Sequence, residues 1–103
     1  MPTLFDSEGF LIDLSSWSEA LASDIAHAEN IPLSPAHWEL IYTARAYYQA
    51  FDISPEMRPL VKWVKTQLGE EKGTSLYLLR LFPDSPAKRL SKIAGLPKPL
   101  NCL

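Results

Sequence analysis

Apolar side chains recur every three to four residues over most of the chain, which is the spacing of amphipathic helices. The pattern Ser16-Trp17-Ser18-Glu19 has the form of a capping box, so it predicts a first helix that starts at Ser16 and runs to about Glu29. Its apolar stripe consists of Trp17, Leu21, Ile25 and Ala28. Because the remaining positions are mostly polar, this helix is expected to pack by one face.

Three serine–proline pairs mark further helix starts, because serine favours the N-cap and proline favours the first helical position. They are Ser34-Pro35, Ser54-Pro55 and Ser85-Pro86. The helix from Pro35 to about Phe51 is apolar nearly all round, which predicts that it is the central helix. The next helix has an apolar stripe between Met57 and Leu68 and ends at Gly69, which can form a left-handed C-terminal cap.

Two shorter helices complete the prediction. One follows Gly73, stops near Pro83 and is expected to bury Leu76 and Leu79, with Tyr77 as a third candidate. The last runs from Pro86 to Ala94, where glycine and proline stop it. Apolar stretches on both sides of residues 6–9 predict a short N-terminal β-hairpin. The sequence thus predicts a mainly α fold, a small bundle of about five helices in a single domain, 1–103, with residues 95–103 as a mobile, extended C-terminal arm.

A chain of 103 residues with 47% apolar and 21% charged residues has the composition of one globular domain. Its single cysteine excludes an internal disulfide framework, and no cysteine–histidine spacing fits a zinc site. His27 and His37 are expected to be surface or capping residues. There is no glycine-rich phosphate loop, so we expect no cofactor. Without a signal-peptide pattern or a long apolar run, the sequence predicts a cytoplasmic protein with no membrane partner.

The charges are unevenly distributed along the chain. Residues 1–40 contain seven acidic side chains and no lysine or arginine, whereas the remainder holds all 10 basic side chains. This asymmetry suggests a polarised partner surface, and solvated helix faces explain it equally well. The basic segment from Arg58 to Lys65 is also compatible with a helix-turn-helix DNA-binding module. The net charge of −2 argues against that function, because DNA binding depends on neutralising phosphates.

The candidate reactive group is Cys102, the penultimate residue. A thiol at a chain end lacks the walls of a core, and its thiolate form is a nucleophile. Prolines stiffen the preceding arm, and Gly95 is expected to be its hinge. We expect the arm to dock the thiol on a partner protein, and two nearby cations to stabilise the thiolate. The docking residues are Gly95, Leu96, Pro97, Lys98, Pro99 and Leu103, and the cations are Lys92 and Lys98.

Several segments, in the right order, resemble the DsrC/TusE family. The most specific is the stretch from Lys92 to Pro99 followed by a penultimate cysteine. The others are Leu33-Ser34-Pro35, His37-Trp38-Glu39, residues 69–73, Tyr77-Leu78, Arg80-Leu81-Phe82-Pro83 and Pro86-Ala87-Lys88. The resemblance covers nearly the whole chain, and it implies a helical bundle with a small N-terminal hairpin and a mobile arm.

The resemblance implies two functional branches, which differ in their cysteines. Members that work with dissimilatory sulfite reductase carry a second cysteine eleven residues before the penultimate one, and here that position is Ser91. Serine cannot form their intramolecular bridge, so the single-cysteine, TusE-like branch is preferred. That branch implies a sulfur relay: Cys102 accepts a persulfide from a TusBCD-like donor complex and passes it to an MnmA-like tRNA thiouridylase for 2-thiouridine synthesis at the wobble position.

The resemblance implies the class label sulfurtransferase, for a relay protein rather than a stand-alone catalyst, with indirect contact to tRNA. A second destination stays open, because some single-cysteine members accompany sulfur-oxidation or other sulfur-trafficking systems. A partner of a sulfur-oxidation or sulfite reductase system is therefore the alternative, and the helix-turn-helix module is the less favoured one.

Overall fold

The computed structural model describes residues 3–101, which form five α-helices around one apolar core. The helices are α1 (Glu19–Ala28), α2 (Pro35–Phe51), α3 (Met57–Leu68), α4 (Ser75–Leu81) and α5 (Pro86–Ile93), and a 3₁₀ turn, Leu14–Ser16, precedes α1. The mainly α fold with five helices is confirmed. None of the helices in the described part combines the length and hydrophobicity needed to cross a bilayer.

The last helix, α5, is the centre of the packing. It contacts each of the other four helices, whereas α2 packs mainly against α3 and α5. Leu90, Ile93 and Ala94 are almost completely buried, and so is Ser91 between them. The prediction that α2 is the central helix was therefore wrong: aromatic side chains all round α2 suggested burial, but Tyr42 and Phe51 are exposed.

The capping serine of α1 lies two residues later than predicted. The hydroxyl of Ser18, not that of Ser16, accepts a hydrogen bond from the backbone N–H of Leu21 at 3.1 Å. Trp17 therefore precedes the helix instead of lying on its apolar stripe. Its ring is free to reach the end of α5, where its indole N–H donates to the carbonyl of Ile93 at 2.9 Å.

The second serine–proline pair does not cap a helix. α3 begins at Met57 with Glu56 as its N-cap, and Ser54 lies two residues before that. The hydroxyl of Ser54 is buried and donates to the carbonyl of Pro97 at 2.6 Å. The pair thus connects the α2–α3 loop to the C-terminal arm. Ser34-Pro35 and Ser85-Pro86 do mark the starts of α2 and α5.

Two smaller predictions also need correction. The N-terminal segment is closed by one isolated antiparallel bridge between Phe5 and Leu11, so the predicted β-hairpin is not formed as a pair of strands among the described residues. In α4, Leu76 and Leu79 are exposed, and Leu78 is the buried residue. A helix of seven residues gives too few turns for periodicity to fix its buried face.

The end of α5 directs the chain into the arm. The N–H of Gly95 donates to the carbonyl of Lys92 at 3.2 Å, and that of Leu96 to the carbonyl of Ser91 at 2.9 Å. These are the two bonds of a Schellman motif, which requires a left-handed residue after the helix. Gly95 supplies it with φ +74°. A Cβ atom at Gly95 would lie 2.2 Å from Cδ1 of Trp17.

His37 joins the start of α2 to the end of α4. Its Nδ1 accepts the backbone N–H of Ser34 at 3.1 Å and lies 2.7 Å from the Ser34 hydroxyl. Since Nδ1 accepts, Nε2 carries the proton and donates to the carbonyl of Leu81 at 2.8 Å. The sequence predicted that His37 is either a surface or a capping residue. It is a buried capping residue.

Replacing His37 with alanine is expected to lower the free energy of unfolding by about 1–3 kcal/mol, because both Ser34 and Leu81 lose a partner. The measurement is a urea titration with an unchanged m-value. His27→Ala is the matched control, since His27 is exposed on α1 and its removal should change stability by less than about 0.5 kcal/mol. Equal effects of the two substitutions would contradict this account of His37.

Gly95→Ala is expected to destabilise the fold by more than the roughly 1–2 kcal/mol that a left-handed conformation costs an alanine, because the new methyl group also collides with Trp17. The same substitution in a Trp17→Ala background should cost less, since the collision is gone. A double-mutant cycle from denaturant titrations measures this difference. Equal costs in both backgrounds would rule out the collision.

Candidate functional site

The candidate site is the C-terminal arm, which carries the cysteine as its penultimate residue. Cys102 and Leu103 lie outside the described residues, so the site is built from the arm that precedes them. Residues 95–101 lie against the helical body, and Asn101 is the last described residue. Gly95, Leu96 and Pro99 are buried, Pro97 and Lys98 are half-buried, and Leu100 is exposed. The arm therefore has an inner, buried edge and an outer, solvent-facing edge.

Two side chains from other elements hold the base of the arm. Trp17 bonds the carbonyl of Ile93, and Nη1 of Arg45 donates to the carbonyl of Ala94 at 2.7 Å. The guanidinium carbon of Arg45 lies 3.8 Å from the centroid of the Trp17 ring, in a cation–π contact. The two donors are thus stacked on each other as well as bonded to consecutive carbonyls of the arm base.

Tyr42 extends this stack on its outer side. Its ring meets the edge of Trp17 with the centroids 5.9 Å apart, and its hydroxyl donates to the carboxylate of Glu19. That hydrogen bond raises the pKa of Tyr42, so the phenol stays neutral. Burial lowers the pKa of Arg45, which still remains far above neutral pH. Arg45 therefore presents a permanent cation to the carbonyl end of α5.

Three polar contacts hold the outer part of the arm. The Ser54 hydroxyl bonds the carbonyl of Pro97, Nζ of Lys98 lies 2.9 Å from Glu8, and Nδ2 of Asn101 donates to Glu56 at 3.1 Å. The ion pair with Glu8 joins residues at opposite ends of the chain, since Glu8 lies in the turn closed by the N-terminal bridge. The first of these contacts joins a side chain to a backbone carbonyl, and the other two join one side chain to another.

The two cations predicted to stabilise the thiolate are both bound to carboxylates. Nζ of Lys92 lies 3.4 Å from Glu29 and 5.2 Å from the centroid of the Phe10 ring, while Lys98 pairs with Glu8. Lys92 is largely buried and faces the N-terminal segment. Stabilisation of the thiolate by either lysine stays a prediction, as does the docking of the arm on a partner.

Ser91 is buried in the core of the molecule at 1% exposure. Its backbone carbonyl accepts the N–H of Leu96, but its hydroxyl has no hydrogen-bond partner within residues 3–101. A thiol of similar shape needs a hydrogen bond much less than a hydroxyl does. The position therefore suits a cysteine sterically, and the serine makes it chemically inert.

An open groove of about 460 Å³ runs beside the base of the arm. Its walls are formed by side chains from the 3₁₀ turn and α2, and Gly95 and Leu96 lie at one edge. Its polar lining residues include Ser15, Tyr42, Arg45 and Gln49. No group of acidic, histidine or cysteine side chains in the described part of the chain could hold a metal ion.

Sequence reasoning missed the residues that hold the arm. Ser54 was assigned to a helix cap and Trp17 to the stripe of α1. Arg45 was not singled out, because periodicity does not distinguish one arginine in a helix from any other surface charge. The signal that could have identified Arg45 is its place among aromatic residues of α2, where a charge that is not solvated needs a partner. That partner is a backbone carbonyl 49 residues away, and the periodicity of the sequence does not identify contacts over such a separation.

Comparisons of the sequence and of the structure with known proteins indicate the same family. The family described as "DsrC like protein" matches residues 2–103. The sulfurtransferase TusE of Sodalis glossinidius (strain morsitans) is 55% identical over 98 residues, which span 95% of this chain and 91% of the relative. The sulfurtransferase TusE of Escherichia coli (strain K12) is 54% identical over 98 residues, 95% of this chain and 90% of the relative.

Solved structures with the same fold are also similar in sequence. The NMR structure of Allochromatium vinosum DsrC superposes with a TM-score of 0.87 at 43% identity, covering 96% of this chain and 88% of that one. The oxidized γ-subunit of the dissimilatory sulfite reductase (DsrC) from Archaeoglobus fulgidus gives a TM-score of 0.80 at 36% identity, covering 96% and 90%. By its sequence and by its structure, the chain belongs to the DsrC-like family.

Proposed function

We propose that this protein is a sulfur carrier that receives a persulfide on Cys102 and delivers it to an acceptor. The observation that carries the proposal is the identity of 54–55% over 95% of the chain to proteins named sulfurtransferase TusE, in a sequence with one cysteine. The exposure of the neighbouring Leu100 and Asn101 supports it, because the thiol follows residues that face solvent.

The proposed chemistry is a thiol–persulfide exchange. The thiolate of Cys102 attacks the outer sulfur of a donor persulfide, a new sulfur–sulfur bond forms, and the donor bond breaks to release the donor thiolate. The exchange has no net oxidation, so it needs neither a cofactor nor an external oxidant. In the second step an acceptor thiolate attacks the outer sulfur of the Cys102 persulfide, and the Cys102 thiolate is released.

The single-cysteine chemistry distinguishes this protein from two-cysteine carriers. A second thiol at position 91 would permit an internal bridge with Cys102, but Ser91 cannot form one. A partner role in a sulfur-oxidation or sulfite reductase system that depends on such a bridge is therefore not proposed. A relay in which each step is intermolecular is the form of chemistry that one cysteine allows.

The proposed partners are a TusBCD-like persulfide donor complex and an MnmA-like tRNA thiouridylase, in the cytoplasm. The end product would be a 2-thiouridine at the wobble position of tRNA, with this protein in contact with the enzyme and only indirectly with the nucleic acid. The TusE names of the relatives support a relay with other Tus proteins. In this role the protein is a co-substrate of two enzymes rather than a catalyst on its own.

The outer arm contacts are suited to a carrier that visits two partners. A surface ion pair such as Lys98–Glu8 contributes about 0–1 kcal/mol, and a neutral hydrogen bond such as Ser54–Pro97 about 0.5–1.5 kcal/mol. Contacts of this size can be broken and remade at each visit, and release of the arm also exposes the buried Pro99. We therefore propose that residues 97–101 leave the body when the thiol enters a partner.

Cys102→Ser is expected to abolish persulfide uptake. The native chain, incubated with a persulfide donor in the absence of reductant, should gain one sulfur atom, about 32 Da, that a thiol reductant removes. Intact-protein mass spectrometry measures the gain. Ser91→Ala is the matched control, because it removes the hydroxyl at the other family cysteine position and should take up sulfur normally. A sulfur adduct on Cys102→Ser would contradict the proposal.

Ser54→Ala is expected to raise the affinity for the acceptor enzyme. Loss of the bond to Pro97 weakens the docked arm by about 1 kcal/mol, which increases the fraction of undocked arms roughly fivefold. If only the undocked form binds the acceptor, the apparent dissociation constant is inversely proportional to the fraction of undocked arms. It should therefore fall by a similar factor, as long as the undocked form remains the minor one. Calorimetric titration against the thiouridylase measures it.

The control for this experiment is Thr66→Ala, which removes an exposed hydroxyl that donates to the carbonyl of Lys62 within α3. It should leave the affinity unchanged. If Ser54→Ala bound more weakly than the native chain, the docked arm would be the form that the acceptor recognises, and release of the arm would be wrong.

A further inference from the structure

The outer side of α4 carries an apolar patch that no helix in the described part of the chain covers. Leu76 and Leu79 are 58% and 40% exposed, and their i, i+3 spacing makes them neighbours on the helix surface. Single exposed leucines are common, but two adjacent ones on a seven-residue helix form a patch. Exposed aromatic side chains such as Tyr42 and Phe51 differ, because they pack against other rings.

A groove of about 420 Å³ continues this patch toward the N-terminal ends of α3 and α5. Its lining includes Leu79 of α4, Met57 of α3, and Pro86 and Ala87 of α5, and it is mainly apolar. We call the patch and the groove together the α4 face. Its size suits a few apolar side chains of a partner, since pockets for larger apolar groups have volumes of roughly this order.

Two exposed arginines lie next to the α4 face. Arg80 follows Leu79 on the outer side of α4, and Arg58 follows Met57 on α3. Neither arginine pairs with a carboxylate within residues 3–101. This distinguishes them from the basic residues of α5, where Glu29 holds both Arg89 and Lys92. The two arginines are therefore available to carboxylates of another molecule.

The carboxylates near the α4 face already have partners within the molecule. Asp84 lines the groove and lies 3.7 Å from the guanidinium of Arg89, while Glu56, the N-cap of α3, accepts a hydrogen bond from Asn101. Lys88 also lines the groove. The α4 face is therefore an apolar surface with a basic rim. The surface that complements it is an apolar one with carboxylates around it.

The α4 face meets the arm at the start of α3. The hydrogen bond of 3.1 Å between Asn101 and Glu56 brings the last described residue of the arm to the N-cap of α3, and the next residue, Met57, lines the groove. A partner bound to the α4 face therefore lies beside the residue that precedes Cys102 in the sequence. Binding to the body in this way makes entry of the arm an intramolecular step, which raises its effective concentration.

We propose that the α4 face is the docking surface for the persulfide donor complex, which presents to it an apolar segment flanked by carboxylates. The inference rests on the proposed sulfur carrier function for the identity of this partner. A protein fits the face better than a nucleic acid does, because leucines offer bases neither a stacking ring nor a hydrogen bond. The donor fits better than the acceptor, because an enzyme that binds tRNA has basic surface of its own, which Arg58 and Arg80 would repel.

The test is a calorimetric titration of the donor complex with variants of the α4 face. Leu76→Ser and Leu79→Ser should each weaken binding about tenfold or more, because truncation of an apolar anchor in an interface has an effect of this order. Arg80→Glu should weaken binding and reduce its dependence on salt, whereas Arg80→Lys should stay close to the native chain in both. The melting temperature should change little, since all three side chains are exposed.

Ile12→Ser serves as the reference substitution, because Ile12 is 61% exposed and does not line the groove. It should bind the donor complex with native affinity. The thiouridylase is the second reference, and its affinity for Leu76→Ser should equal its affinity for the native chain. Native donor affinity in both Leu76→Ser and Leu79→Ser would overturn the inference, and an equal loss of affinity for the thiouridylase would overturn the assignment to the donor.

Two measurements on the chain alone test the other occupants. Sedimentation of the native chain should show a monomer, and self-association that Leu76→Ser abolishes would assign the α4 face to a second copy. The native chain should also show no binding of tRNA at low salt, and binding that Arg80→Glu abolishes would assign the face to a nucleic acid. Either of these results would overturn the proposal.

Sulfur uptake from a small-molecule persulfide separates the inference from the carrier function. Uptake should be unchanged in Leu76→Ser, because a small donor needs no docking surface. A native chain that gains sulfur on Cys102 but does not bind the donor complex would refute only the docking surface. A native chain that gains no sulfur would refute the carrier function, and the effect of Leu76→Ser on donor binding would still decide the inference.

Discussion

The arrangement of this molecule depends on one constraint: every backbone carbonyl at the C-terminal end of α5 needs a hydrogen-bond donor. This helix is buried by four others, so its last carbonyls cannot turn to water, and each one finds a donor. Gly95 reverses the chain, and Trp17 and Arg45 provide the two donors that the backbone cannot. These donors hold the chain as far as Ala94, and Leu96 is held in turn by its burial and by the bond from its N–H to the carbonyl of Ser91.

Part of the uneven charge distribution along the sequence is neutralised by ion pairs within the molecule. In these pairs, acidic side chains of the first forty residues contact basic side chains of the C-terminal part of the chain. They are Glu8 with Lys98, Glu29 with Arg89 and Lys92, and Glu39 with Lys72. Neither explanation drawn from the sequence, a partner surface or solvated faces, anticipated this. Two of these acids, Glu8 and Glu29, hold the lysines on either side of Gly95.

Local signals predicted the helices well, because caps, prolines and periodicity act within a few residues of where they are read. Ser34-Pro35 and Ser85-Pro86 located α2 and α5 correctly, and Gly95 was correctly identified as the end of the last helix. The arm contacts could not be predicted in this way. Ser54 and Arg45 meet residues more than forty positions away, and the same serine–proline pattern that caps one helix serves elsewhere to hold a distant carbonyl.

The central claim is that sulfur passes through Cys102 without being released. The most direct measurement is a single-turnover transfer of ³⁴S from a labelled donor persulfide to an acceptor thiol, made once with the native chain and once with Cys102→Ser. The account predicts that the acceptor gains ³⁴S with the native chain, that the label passes through a Cys102 persulfide visible by mass spectrometry, and that Cys102→Ser gives no transfer above the rate without carrier. Equal labelling of the acceptor with Cys102→Ser would contradict it, because the sulfur would then have bypassed Cys102.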